Sequence, residues 1–261
     1  STCITCPIIR YNPAIVAQTF ATLRQMYPGR VGVAVGAGEA MNELPVTGKW
    51  PSVPERQDMT VEAIQVMRKL WESKEPVSFK GKYYTLDRAF LYTKPEDEVP
   101  LYFSGMGPKG SKLAGKYGDH LMTVAADPAT LKNMTIPQFE AGAKEAGKDP
   151  RKMEHAMLVW YSVDPDYEKA IVGLRFWSGC LVPSMFKYPV CDSKEVELHA
   201  KLVGHEMMKN NYMVATNAEE LIKEIKRLKD AGINHFCLGN SSPDVNLGID
   251  IFKDVIPAVT N

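Results

Sequence analysis

The sequence has no long apolar run. No stretch of about 18 consecutive apolar residues occurs, so no transmembrane helix is expected. It also has no surplus of either charge. Lysine plus arginine and aspartate plus glutamate number 31 each, which argues against a nucleic-acid partner or an anionic membrane surface, both of which call for a basic excess. Cysteine is scarce and uneven in number, at five. That is no disulfide frame for a chain of this length, and it predicts reduced thiols in the cytoplasm. Histidine is equally scarce, and none of the five stands with cysteines in a metal-ligand spacing. His199 and His205, six positions apart, do not share one helix face well, so no metal site is expected. No repeat, low-complexity linker or signal-peptide pattern is visible. The first residue is not methionine, and the opening residues already read as the middle of a strand.

What is present is an alternation of short apolar runs with amphipathic helices. Residues 1–6 lead into a helix announced by Asn12 as N-cap and Pro13 at its first position, with Val16, Phe20 and Leu23 on one stripe. "RVGVAVGAGEAMNE" is a buried strand, 31–36, running into a glycine-rich turn. A helix over 60–72 carries Ile64, Met67 and Trp71 on one face, and "VSFKGKYYTL" with "RAFLYTKP" predicts a β-hairpin turning near Gly81. "VPLYFSG", "DHLMTVA", "HAMLVWYSV" and "INHFCLGN" are further strands, the third followed by a helix over 166–177. Thr216-Asn217-Ala218-Glu219 predicts a capping box, and its helix buries Leu221, Ile225 and Leu228. The chain is expected to be one α/β domain, 1–261, interrupted by an irregular, helical insertion over 180–211. Near-continuous apolar strands alternating with helices predict a parallel sheet covered on both faces. About six strands are counted, compatible with an open doubly wound sheet or with part of an eight-stranded barrel.

Cys3-Ile4-Thr5-Cys6 has the letters of a redox or zinc motif. A redox pair needs its sulfurs at a helix N-terminus, but Pro7 and "IIRY" separate this pair from the helix. On an extended segment, residues three apart point to opposite faces. The pair is therefore read as small apolar residues at a strand end. Two glycine-rich turns follow strands. In "GAGEAMNE" small residues let backbone approach a flat ring, and Glu39 can set a carboxylate beside it. "SGMGPKG" opens a helix whose N–H groups suit a phosphate, with the charge of Lys109 added, although it is not a Walker loop.

"CITCPIIRYNPAIVAQTFATLRQMYPGRVGVAVGAGEAMNE", "WPSVPERQDMTVEAIQVMRKLW" and "PLYFSGMGPKGSKLAGKYGDHLMTV" together resemble the bacterial-luciferase-like barrels that use the deazaflavin coenzyme F-420. The likeness runs from the first residue to the last, and it is strongest to the branch acting on secondary alcohols. It implies a (β/α)8 TIM barrel of the bacterial-luciferase-like type, with about six of the eight strands in this chain. The first two βα units, bearing the family's aspartate–histidine pair and a tryptophan, are expected ahead of residue 1. None of the five histidines here stands in that motif.

The resemblance further implies a cofactor, coenzyme F-420 (8-hydroxy-5-deazaflavin), and hydride transfer between it and a small alcohol or ketone, isopropanol-like. Residues 1–6 correspond to a barrel strand ending in a bulge with a non-prolyl cis peptide at Cys3-Ile4. That bulge, Cys3, Ile4, Thr5 and Cys6, backs the deazaflavin ring. Glu39 becomes the acid–base residue facing the ring, and Ala37, Gly38 and Asn42 contact the coenzyme. Met106, Gly107, Lys109 and Gly110 hold its phosphate-bearing tail. Val124, Trp160, Trp177, Cys180 and Phe186 wall the substrate pocket, and an apolar wall suits a ketone better than a sugar phosphate. A homodimer is implied as well. The alternatives are an FMN-dependent luciferase-like monooxygenase, an F-420 enzyme acting on glucose-6-phosphate or methylene-tetrahydromethanopterin, and a non-catalytic coenzyme-binding module.

Overall fold

Val33, Ala34 and Val35 are buried without exception, the pattern of a strand covered on both faces. In the computed structural model, which describes residues 1–260, they form β1 (Val33–Val35). The other strands are β2 (Val77–Lys80), β3 (Thr85–Ala89), β4 (Leu101–Ser104), β5 (His120–Val124), β6 (His155–Val163), β7 (Met213–Ala215) and β8 (His235–Asn240). β1 pairs with β4, β4 with β5, β5 with β6 and β6 with β8, all in parallel. Upstream of them Thr5 bridges Val35, also in parallel. Counting Thr5, six staves follow one another in chain order around an arc. A doubly wound sheet reverses its strand order partway along. This one does not; among the described residues its parallel, sequential order is that of the luciferase-like (β/α) barrel. Ala34, Tyr102, Met122 and Ala156 fill its interior, with Ile4 and Cys237 packed against them.

Helices cover the outside. α1 (Pro13–Met26) starts where expected: the Asn12 side chain accepts from the Ala14 N–H at 2.9 Å. α2 (Ala40–Thr47) follows β1, and α3 (Val53–Glu72) packs on α1, where Trp71 Nε1 donates to the Ala17 carbonyl at 2.8 Å. Ile64, Met67 and Leu70 of α3 are essentially inaccessible, each contributing about 1.5–3 kcal/mol of apolar burial. The hairpin β2–β3 leans on α3 through one carboxylate. Glu62 accepts the backbone N–H groups of Lys82, Tyr83 and Tyr84 at 3.0, 2.8 and 2.7 Å. α4 (Pro108–Tyr117) follows β4.

Several local expectations are corrected. Residues 1–6 are not a full strand: only Thr5 joins the ladder, donating to the Ala34 carbonyl at 2.8 Å and accepting from the Gly36 N–H at 3.0 Å. Pro7 has no N–H with which to continue it. The helix expected over 60–72 starts at Val53, because Ser52 caps the Glu55 N–H and Pro54 sits in the first turn. The capping box is displaced by one residue. Asn217 caps the Glu220 N–H, and Glu220 reaches back to the Thr216 N–H at 2.8 Å. The helix expected over 166–177 is α-helical only over Tyr167–Gly173 and tightens into a 3-10 turn over Leu174–Leu181. His199 and His205 lie on separate helices, Ser193–Ala200 and His205–Asn211. β7 was not anticipated; it pairs with the last residues of β6, beyond the end of β5. Among the described residues no helix is long and apolar enough to cross a membrane.

Candidate functional site

The carboxyl ends of the staves bring the two glycine-rich turns together. Gly36 ends the β1 run, and a Cβ built on it would lie 3.0 Å from Ile4 Cγ2 and 3.2 Å from Ser104 Cβ. Three consecutive staves therefore close to backbone distance at this point. Gly38 has φ +73°, a conformation that side chains disfavour, and a Cβ there would fall 2.6 Å from Cys6 Sγ. The same turn delivers Glu39, in extended conformation at the start of α2. Asn42, one turn on, donates from Nδ2 to Glu39 Oε2 at 3.1 Å. Burial raises the Glu39 carboxyl above the ordinary carboxylate range, as desolvation of an acid should. Cys180 lies close enough to feel this charge: burial first, and then Glu39, push its thiol up to about 11. A thiol held protonated in this way is a wall and not a nucleophile.

The two sulfurs of the C-x-x-C part company. Cys6 is buried, and burial together with nearby Glu43 pushes its thiol up to about 12. Cys3 instead interacts with Cys237 of β8, which draws the Cys3 thiol down and pushes the Cys237 thiol up. The Cys3-Ile4 peptide bond is cis, where the resemblance placed it. Among the described residues no group of three His, Cys, Asp or Glu side chains could hold a metal ion.

The second turn opens α4. Gly107 is the N-cap, no side chain caps the helix, and a Cβ on Gly107 would meet nothing within 4 Å. Gly107 thus has open space beside it, and Met106 and Lys109 on either side of the helix start are exposed. This turn fits a phosphate-bearing cofactor tail: a helix start that no side chain caps, open space at Gly107 and one cation. Gly110 packs toward Gln57 of α3, so the first turns of α3 and α4 share this rim.

The aromatic wall rises from β6. Trp160 stacks on Trp177 with ring centroids 4.6 Å apart and planes 28° apart. Val124, Trp177, Leu181 and Val182 pack around Trp160, Leu174 and Tyr212, so Val124, Trp160 and Trp177 come together and Cys180 is carried between residues of the same wall. Phe186 is not packed in this cluster; its carbonyl accepts from Arg56 of α3 at 2.9 Å. Four residues of this site were missed from the sequence. Tyr212 donates its hydroxyl to the Trp177 carbonyl at 2.7 Å. Gly239 leaves room for Trp160. Arg56 lies over the Trp50 ring, 3.7 Å from its centroid. The only signal for Tyr212 was an aromatic beside "MVA"; the other three carried none.

A barrel rim with a half-buried carboxylate, an uncapped helix start and an apolar aromatic wall defines a class of ring-cofactor enzyme, and the comparisons name it. The family described as luciferase-like monooxygenase matches residues 2–235, and the chain belongs to this luciferase-like family. It is 35% identical over 259 residues to an F-420-dependent glucose-6-phosphate dehydrogenase of Segniliparus rotundus, covering 98% of this chain and 77% of that one. The corresponding enzyme of Microbacterium testaceum is 34% identical over 258 residues, covering 98% and 76%. Among solved structures, an F-420-dependent secondary alcohol dehydrogenase in complex with an F-420–acetone adduct shares 81% identity at a TM-score of 0.98, covering 99% of this chain and 78% of that one. A coenzyme F-420-dependent tetrahydromethanopterin reductase from Methanopyrus kandleri, 22% identical with a TM-score of 0.78, covers 97% and 81% and shares the fold.

Proposed function

We propose that the protein is an oxidoreductase that moves a hydride between a short secondary alcohol, or its ketone, and coenzyme F-420. The carrying observation is the 81% identity, over 99% of this chain, to a secondary alcohol dehydrogenase seen with an F-420–acetone adduct. The wall supports that choice over the glucose-6-phosphate activity of the other relatives. Trp160, Trp177, Val124, Cys180 and Phe186 present no cation, and a sugar phosphate would require convergent ones. Arg175, the guanidinium in the wall's own 3-10 segment, is turned to the Val203 carbonyl at 2.7 Å.

When bound, the coenzyme supplies a deazaflavin ring whose C5 accepts or gives the hydride. The chain's own residues do the rest. The turn at Gly36 and Gly38, backed by Ile4 and Cys6, offers the ring a surface without side chains. Glu39 holds a proton beside it, with Asn42 fixing the carboxylate. The start of α4 with Lys109 holds the anionic tail. The Trp160–Trp177 stack and Cys180 exclude water and orient the carbinol carbon, and orientation is most of what the protein contributes to such a transfer. A homodimer and a cytoplasmic location belong to the same proposal. The first rests on the family resemblance and the second on five free cysteines.

The test is to mix the full chain with reduced coenzyme F-420 and acetone and follow deazaflavin absorbance. Oxidation of the coenzyme that depends on ketone is the expected result. Absence of turnover with every short ketone, despite coenzyme binding by fluorescence titration, would overturn the substrate assignment. Co-purification of FMN with an oxygen requirement would favour the monooxygenase alternative.

A further inference from the structure

Arg56 is an arginine in an unusual position. It is 3% exposed, although its side chain carries a charge, and among the described residues no carboxylate stands within ion-pair distance of it. Its guanidinium is held in another way, through its two terminal nitrogens and one face, while the buried Nε has no hydrogen-bond partner. One face lies on Trp50, 3.7 Å from the ring centroid. Nη1 donates to the Pro51 carbonyl at 2.8 Å and Nη2 to the Phe186 carbonyl at 2.9 Å. Pro51 is on the approach to α3, whereas Phe186 lies in the short helix Ser184–Lys187 inside the insertion. Among the described residues, the other hydrogen bonds of residues 183–191 stay within the span 182–199. The Arg56 contact is thus the hydrogen bond that ties this part of the insertion to the barrel's helical layer.

We infer that Arg56, held flat by Trp50, is a positioning residue that sets where Phe186 stands over the substrate pocket, and so sets which alcohols fit. The inference rests on the reading of Phe186 as part of the substrate wall. A planar fork with two donors in fixed directions determines the separation of its two acceptors, which a flexible ammonium cannot do. Burial removes the competing water, so the carbonyl of Phe186 has no equivalent partner if the guanidinium goes. Arg56 touches neither substrate nor coenzyme in this scheme. It acts through the backbone of Phe186.

Two measurements on the full chain test this. Arg56→Lys and Arg56→Met are compared with Trp50→Phe, which keeps a ring face under the guanidinium. In the protein without coenzyme, amide exchange at Phe186 and Tyr188 should accelerate about tenfold or more in Arg56→Met, less in Arg56→Lys and least in Trp50→Phe, while the amides of β1 and β4 hold. In turnover with saturating coenzyme, KM for acetone should rise about tenfold in Arg56→Met with kcat changed far less. The preference for acetone over 2-hexanone should flatten in the same order. Unchanged exchange at Phe186 and Tyr188, or a uniform loss of thermal stability with the acetone to 2-hexanone ratio intact, would overturn the inference. If the wild-type chain turns over no ketone, the alcohol reading falls, and the exchange measurement still decides whether Arg56 positions Phe186.

Discussion

Gly239 has no side chain where Trp160 lies: a Cβ built on it would sit 2.5 Å from Trp160 Cδ1 and 2.7 Å from Nε1. The glycine of β8 thus fixes the tilt of the ring that stacks on Trp177. Gly239→Ala forces the indole to move, and overpacking of this kind costs about 1–3 kcal/mol. The expected outcome is a modest fall in melting temperature with a disproportionate loss of ketone turnover, because the stack at 4.6 Å is broken. Turnover falling only in proportion to the folded fraction would show that the tilt of Trp160 is unimportant to the chemistry.

The proposed acid–base role of Glu39 predicts a trade of stability for function. Burial raises its carboxyl, so the folded state binds a proton more tightly there than the unfolded chain does. The stability tied to that proton is present below the unfolded-state value and is lost as pH rises through the raised folded value. Above the unfolded-state value the carboxyl is therefore a liability to the fold. Glu39→Gln should abolish turnover while raising the melting temperature at pH 7, with the advantage shrinking on acidification. A variant less stable than wild type at neutral pH would mean that the hydrogen bond from Asn42 at 3.1 Å outweighs desolvation.

The staves were legible because apolar runs such as Val33-Ala34-Val35 carry their own signal: two buried faces leave no room for polar alternation. The glycine turns at Gly38 and Gly107 were legible too, since small residues between a strand and a helix have few other uses. The contacts that converge on the wall were not. Arg56 meets Phe186 across 130 positions, and Tyr212 meets Trp177 across 35. Nothing in local composition announces either, because the partner in each case is a backbone carbonyl available in any residue. β7 escaped notice for a different reason. Three residues are too few for a period to show. The resemblance placed the cis bond at Cys3-Ile4, which no local pattern would have done.

Glu62 carries the hairpin. Its carboxylate accepts three consecutive N–H groups at the turn, those of Lys82, Tyr83 and Tyr84, and bonds to a charged acceptor are stronger than neutral ones. Glu62→Ala should cost about 1–3 kcal/mol. It should also raise amide exchange at 82–84 well above that in the barrel staves. Hairpin amides exchanging at wild-type rates in the variant would show that packing on α3, and not this carboxylate, holds β2 and β3.

Lys109 provides the electrostatic test of the coenzyme cradle. It is exposed, in the first turn of an α4 that no side chain caps, so its charge can serve a phosphate-bearing tail without a structural duty of its own. Removing it as Lys109→Ala should weaken coenzyme binding about tenfold at low ionic strength, equivalent to about 1.4 kcal/mol. Salt distinguishes this from a disturbed fold. Exposed charges are screened within about 8 Å at 0.15 M salt and about 3 Å at 1 M, so the gap in Kd between wild type and variant should close as salt is added. At saturating coenzyme, KM for acetone should be unaltered, because Lys109 stands at the start of α4 and not in the aromatic wall. A Kd gap that persists at 1 M salt, or a change in ketone KM with coenzyme saturating, would remove Lys109 from the phosphate cradle.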